Sequence, residues 1–122
     1  MTDKVQNFLA IFMGSRENPR MAAWQALPEA ERQGKMQEGI AAWKGWVQAN
    51  QAFIVEMGGP LGKTKKISKA GIENISNLIG GYTVVRAASH EEAAALFVNH
   101  PHFTVFPGEG VEVMPVLPIP GG

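Results

Sequence analysis

From residue 79 onwards the chain reads without a break as strand, capped helix, histidine-bearing loop and strand, and this order restricts the fold more than any other feature. Ile79-Gly80-Gly81-Tyr82-Thr83-Val84-Val85-Arg86 is aromatic and β-branched after its glycines, which predicts a strand. Ser89-His90-Glu91-Glu92 predicts a helix start, because the serine hydroxyl can accept the amide three residues on while Glu92 reaches back to an earlier amide. Asn99-His100-Pro101-His102-Phe103 follows as a loop, and residues 111–116 close the unit as a strand.

The first half repeats the strand–helix–strand order. Residues 8–13 form a short apolar run, whose length and aromatic content favour a buried strand, ended by Gly14-Ser15. Residues 21–26 suit a turn or two of helix. A long helix is expected from near Pro28, with Glu29 and Glu31 at the positive end of its dipole. Met36, Ile40, Trp43 and Val47 recur at helical spacing and predict its core stripe, and Gly39 and Gly45 suggest close approach of a neighbour. Residues 52–57 read as the second strand, and residues 63–71 as an exposed edge strand or hairpin arm whose lysines discourage unwanted pairing. The tail from Pro115 is too proline-rich for a central strand and reads as an extended arm.

Two βαβ-like halves of this kind predict a single α+β domain over residues 1–122, with a ferredoxin-like antiparallel sheet and helices on one face. The strands carry a further message. Phe8, Ala10 and Phe12 lie on one face of the first strand and Leu9, Ile11 and Met13 on the other, while Phe53, Val55 and Met57 oppose Ala52 and Ile54 in the second. A sheet with one face in water should alternate apolar with polar residues. The departure from that rule predicts a homodimer, in which a second subunit covers the sheet.

Composition removes several function classes. Eleven basic and eleven acidic residues give a formal net charge of zero, so neither nucleic acid nor an anionic membrane is attracted globally. Without cysteine there are no disulfides, thiolate metal sites or cysteine nucleophiles. The opening residues lack the apolar stretch of a secretory signal, and no apolar run approaches membrane-spanning length, so a soluble cytoplasmic protein is expected.

Candidate chemistry is sparse. Met57-Gly58-Gly59-Pro60-Leu61-Gly62-Lys63-Thr64 ends like a phosphate-binding loop, but its first glycine position is Met57 and no apolar-striped helix follows, which favours a turn over a nucleotide site. Lys63, Lys65, Lys66 and Lys69 form a basic cluster without arginine or interleaved aromatics and read as a solvated edge. Arg86 prolongs the Tyr82/Val84 face and suits either anion binding or a strand-end ion pair. His100 and His102 flank a proline that favours extended backbone, so both imidazoles can share one face as catalytic acid/base groups. The same pair suits helix capping or backbone bonding, and a metal would need Glu109 or Glu112 as a third ligand, at no characteristic spacing. Neither a metal nor another cofactor is called for. His90, in the first turn of its helix, is expected to be exposed. Trp43 belongs to the core stripe, whereas Trp24 and Trp46 lie off it and are candidate substrate-binding residues in a groove or interface.

Gly58-Gly59-Pro60-Leu61, Gly80-Gly81-Tyr82 and Val111-Glu112-Val113-Met114-Pro115 together resemble the YCII-related family, also called DGPF-domain proteins. Membership implies a dimeric α+β barrel of two sheets packed face to face. The Asp-Gly-Pro-Phe signature is replaced here by Ala70-Gly71-Ile72-Glu73-Asn74-Ile75. The histidine that some members pair with an aspartate in the first half of the chain has no counterpart before His90. The expected function is an accessory enzyme or binder of a small organic molecule, aromatic or anionic, held between sheet and helices near His100 and His102. The alternative is a non-catalytic structural or regulatory homodimer.

Overall fold

A computed structural model describes residues 5–14 and 18–121. The readings made above at residues 1–4, Ser15 and Gly122 lie outside the described residues. The elements are β1 (Gln6–Met13), α1 (Pro19–Ala26), α2 (Glu29–Ala49), β2 (Ile54–Pro60), β3 (Thr64–Ser68), β4 (Gly71–Ile75), β5 (Ile79–Ala87), α3 (His90–Ala95), α4 (Pro101–Thr104) and β6 (Gly110–Pro115). Four strands form an antiparallel sheet in the order β2-β5-β1-β6, and β3 and β4 form a separate hairpin. This is the expected α+β, ferredoxin-like arrangement, with helices packed on one face of the sheet.

Register explains which face is covered. Phe8 lies opposite Val85, and Ala10 opposite Thr83 and Val113, so these side chains share the helix-covered face. Phe8, Ala10, Phe12, Val85, Ala87, Ala93 and Phe97 are buried there, with Trp43, Trp46 and Ile54 packed against them. Apolar burial at about 25 cal/mol per Å² makes this layer the main source of stability. Leu9 faces Val84 and Met114, and Ile11 faces Tyr82 and Glu112, on the other side. That face is not purely apolar: the Tyr82 hydroxyl donates to Glu56 Oε1 at 2.7 Å, and Glu56 holds the phenol above its ordinary range.

Local chemistry sets the helix boundaries. Asn18 caps α1 by accepting the Met21 amide at 2.7 Å, and Pro19 takes the first helical position. Pro28 is the residue before α2 rather than its first turn, and Glu29 and Glu31 occupy that turn. The serine cap of α3 forms as read, with the Glu92 amide donating to Ser89 Oγ at 3.1 Å and Glu92 Oε2 accepting the Ala88 amide.

Three details differ from the sequence reading. Residues 51–53 form a turn of 3₁₀-helix, so the second strand starts at Ile54. The segment from Gly71 to Ile75 is the second arm of the hairpin, not apparent in its weak alternation. The stripe on α2 is rotated: Met36 and Ile40 are 44% and 45% exposed, and Gly39 is the buried residue. The reason is Phe106, whose ring lies 2.5 Å from where a Cβ on Gly39 would sit, so close approach occurs through the missing side chain. Gly45, by contrast, faces open space.

Candidate functional site

The chain turns sharply after α3 at Asn99, whose φ of 59° lies in the left-handed region that asparagine tolerates. Pro101 then starts α4, a four-residue helix, in place of the extended loop expected here. His100 is its cap: Nδ1 accepts the His102 amide at 3.0 Å. The two imidazoles are therefore not equivalent neighbours on an extended strand.

His100 is fully buried at 0% exposure. Its ring lies 4.5 Å from Trp43, 4.7 Å from Trp46, 5.1 Å from Phe12 and 5.8 Å from Phe97, centroid to centroid. These rings fill the space between sheet and helices where a ligand pocket was expected. Because Nδ1 is an acceptor, the proton of the neutral ring is on Nε2, which has no hydrogen-bond partner. Burial among aromatic rings holds its pKa down to about 4, and the neighbouring His102 adds to the effect.

His102 is half-buried and differently employed. Its Nε2–H donates to the Met13 carbonyl at 2.8 Å, which leaves Nδ1 as the basic lone pair. Burial lowers its pKa, the Met13 bond acts upward, and the Arg20 guanidinium acts downward. Arg20 in turn donates to the Phe103 and Phe106 carbonyls at the end of α4. Gly108 is required for this geometry, since a Cβ there would sit 2.3 Å from His102 Nε2.

A groove of about 1350 Å³ opens beside His102. One wall is the base of the β3–β4 hairpin, including Lys63, Lys65 and Asn74; the other includes Met21, His102 and Phe106. A smaller cleft of about 400 Å³ lies between Phe97, Phe103 and Val111 and contains neither histidine of the pair. The larger groove is the better candidate because it holds a histidine, His102, whereas the smaller cleft offers only the Glu109 carboxylate.

The remaining candidates are dispersed. Arg86 is exposed on the uncovered sheet face, where Nε donates to the Ala52 carbonyl at 3.1 Å, and it lines neither space. Trp46 packs in the core and donates from Nε1 to the Leu96 carbonyl at 2.7 Å. Trp24 packs on Phe106 at 5.8 Å, one residue removed from the groove. His90 is exposed as expected, yet its Nε2–H donates to the Val113 carbonyl at 2.8 Å. Among the described residues, no three His, Asp or Glu side chains come together as metal ligands, so Glu109 and Glu112 do not complete a set with the pair. Lys63 is followed by β3, a strand, and not by the helix that a phosphate-binding loop needs. No helix among the described residues is long and apolar enough to cross a membrane.

Sequence reasoning missed Arg20, Met21, Phe106 and Gly108. Gly39 was the one signal for Phe106, as the vacancy that its ring fills; nothing local marks the others.

No family profile matches the sequence, and no curated protein matches it. Among solved structures, the chain is similar to 5-chloro-2-hydroxyhydroquinone dehydrochlorinase from Burkholderia phenoliruptrix AC1100, in complex with 2,5-dihydroxybenzoquinone. The TM-score is 0.51 at 17% sequence identity, over 88% of this chain and 90% of that one. The likeness is one of fold.

Proposed function

We propose that the protein is a distant YCII-like small-molecule binder, with the ligand in the groove between hairpin and sheet and His102 as its proton acceptor. One observation carries this reading: a half-buried imidazole, fixed through Nε2 to the Met13 carbonyl, lines that groove with Nδ1 unpartnered. Its lowered pKa keeps the ring neutral, and therefore basic, at pH 7. His100 takes the role of a packed cap that positions α4, replacing the shared catalytic role expected from sequence. Arg86, Trp24 and Trp46 are not part of the ligand contact in this reading. The small aromatic class fits the similar structure's bound quinone, and the reaction stays unassigned.

The test uses 2,5-dihydroxybenzoquinone as probe, with backbone amide and imidazole NMR signals as readout. Binding in the groove shifts the His102 ring resonances and the amides of Met21, Leu61 and Phe106, and His102→Gln abolishes those amide shifts while the melting temperature hardly moves. Shifts confined to Phe97, Phe103 and Val111, or none at all, would overturn the assignment. If turnover of any small organic is found, His102→Gln should lower it by about 10²–10⁴-fold.

The uncovered sheet face supports the second part of the proposal, a homodimer. Leu9, Ile11, Val84 and Met114 form an apolar band there, with Val55 and Met57 exposed nearby at the β2 edge. Sedimentation equilibrium should give twice the chain mass of 13.2 kDa; the single-chain mass at micromolar concentration would exclude it. This face also favours the non-catalytic dimer, which survives if His102→Gln changes neither binding nor turnover.

A further inference from the structure

The hairpin separates four lysines that look alike in sequence. Lys63 and Lys65 line the groove, whereas Lys66 and Lys69 do not. Lys66 lies directly opposite Glu73 across the β3–β4 ladder, so a carboxylate sits beside it. Lys65 lies opposite the neutral Asn74, whose Oδ1 accepts from Lys65 Nζ at 2.8 Å. An ammonium carries three donors, and this bond fixes the head group while using only one. Among the described residues that line the groove there is no aspartate or glutamate.

From this arrangement we infer that Lys63 and Lys65, two residues apart and so on one face of the ribbon, form an anion-binding subsite that selects small organic anions whose apolar body rests against Met21, Leu61 and Phe106. The inference rests on the groove being the ligand site and adds the charge of the ligand and the residues that read it. His102 cannot be the anion's partner, because its Nε2–H is already given to Met13 and its Nδ1 is a lone pair. The anionic end therefore belongs at the hairpin wall, and the atom that loses a proton belongs at the opposite wall.

Benzoate and benzyl alcohol, which share a ring and differ in charge, test this on the whole chain. Amide NMR titrations should place both in the groove, with benzoate about tenfold tighter at low ionic strength and most of that advantage gone at 1 M salt. Lys63→Met with Lys65→Met should remove the preference, and Lys63→Arg with Lys65→Arg should keep it. Lys66→Met with Lys69→Met should change nothing. Unaltered amide spectra away from the hairpin establish that each variant folds. Equal binding of both probes, or equal weakening by the Lys66/Lys69 variant, would overturn the subsite while leaving the groove reading intact. Failure of both probes to shift groove resonances would overturn both.

Discussion

The box of rings around His100 and the β3–β4 hairpin are opposite solutions to placing side chains. In the box, Phe12, Trp43, Trp46 and Phe97 shield His100 from solvent, and the histidine is held neutral because burial penalises its charge. On the hairpin, Ile67 faces Ile72, and both are 72% exposed. An isolated two-stranded ribbon is marginal in water. Stability therefore resides in the box and the proposed anion subsite at the hairpin base, and His102 stands between them, tied to the core through Met13 yet lining the groove.

The largest way to break this contrast is His100→Ala, which deletes a buried ring and the cap of α4 together. A loss of about 3 kcal/mol is expected, by analogy with truncation of a buried aromatic side chain, read as a fall in the denaturant midpoint. A loss below about 1 kcal/mol would show that the box repacks. The same residue gives the wild-type protein an acid weakness. Its imidazole binds a proton near pH ~6.5 in the unfolded chain and resists one until about 4 in the native state, so protonation favours unfolding as pH falls. Stability should be full above pH ~6.5 and drop by about 3 kcal/mol by pH ~4, with His102 adding in the same direction. In His100→Ala most of that slope should vanish.

The next effect compares two glycines of α2. Gly39→Ala forces a methyl against the Phe106 ring, at about 1–3 kcal/mol for overpacking, partly offset by up to ~1 kcal/mol of helix preference. Gly45→Ala meets nothing and should raise stability by about 0.5–1 kcal/mol. Equal melting temperatures for the two variants would contradict the packing of Phe106. The smallest effect belongs to the hairpin tip, where Ile67→Thr should change stability by less than about 0.5 kcal/mol. A larger loss, appearing only at concentrations where the chain is dimeric, would show that the second subunit covers the hairpin as well.

Much of this was legible in the chain. The Ser89/Glu92 cap, the start of α2 after Pro28 and the apolar runs of β1 and β5 depend on interactions within a few residues, and so local chemistry fixes them. The alternating faces of β1 likewise identified Phe8, Ala10 and Phe12 as one layer and Leu9, Ile11 and Met13 as another. Tertiary structure decided the rest. Nothing near His100 in sequence supplies Phe12, Trp43 and Trp46, which arrive from 54 to 88 positions earlier and make one histidine a core residue while its neighbour faces a groove. The four lysines are equivalent until strand pairing sets Lys66 beside Glu73 and Lys65 beside Asn74. Burial and the charges beside a residue are properties of distance in space, and at these positions sequence spacing does not measure it.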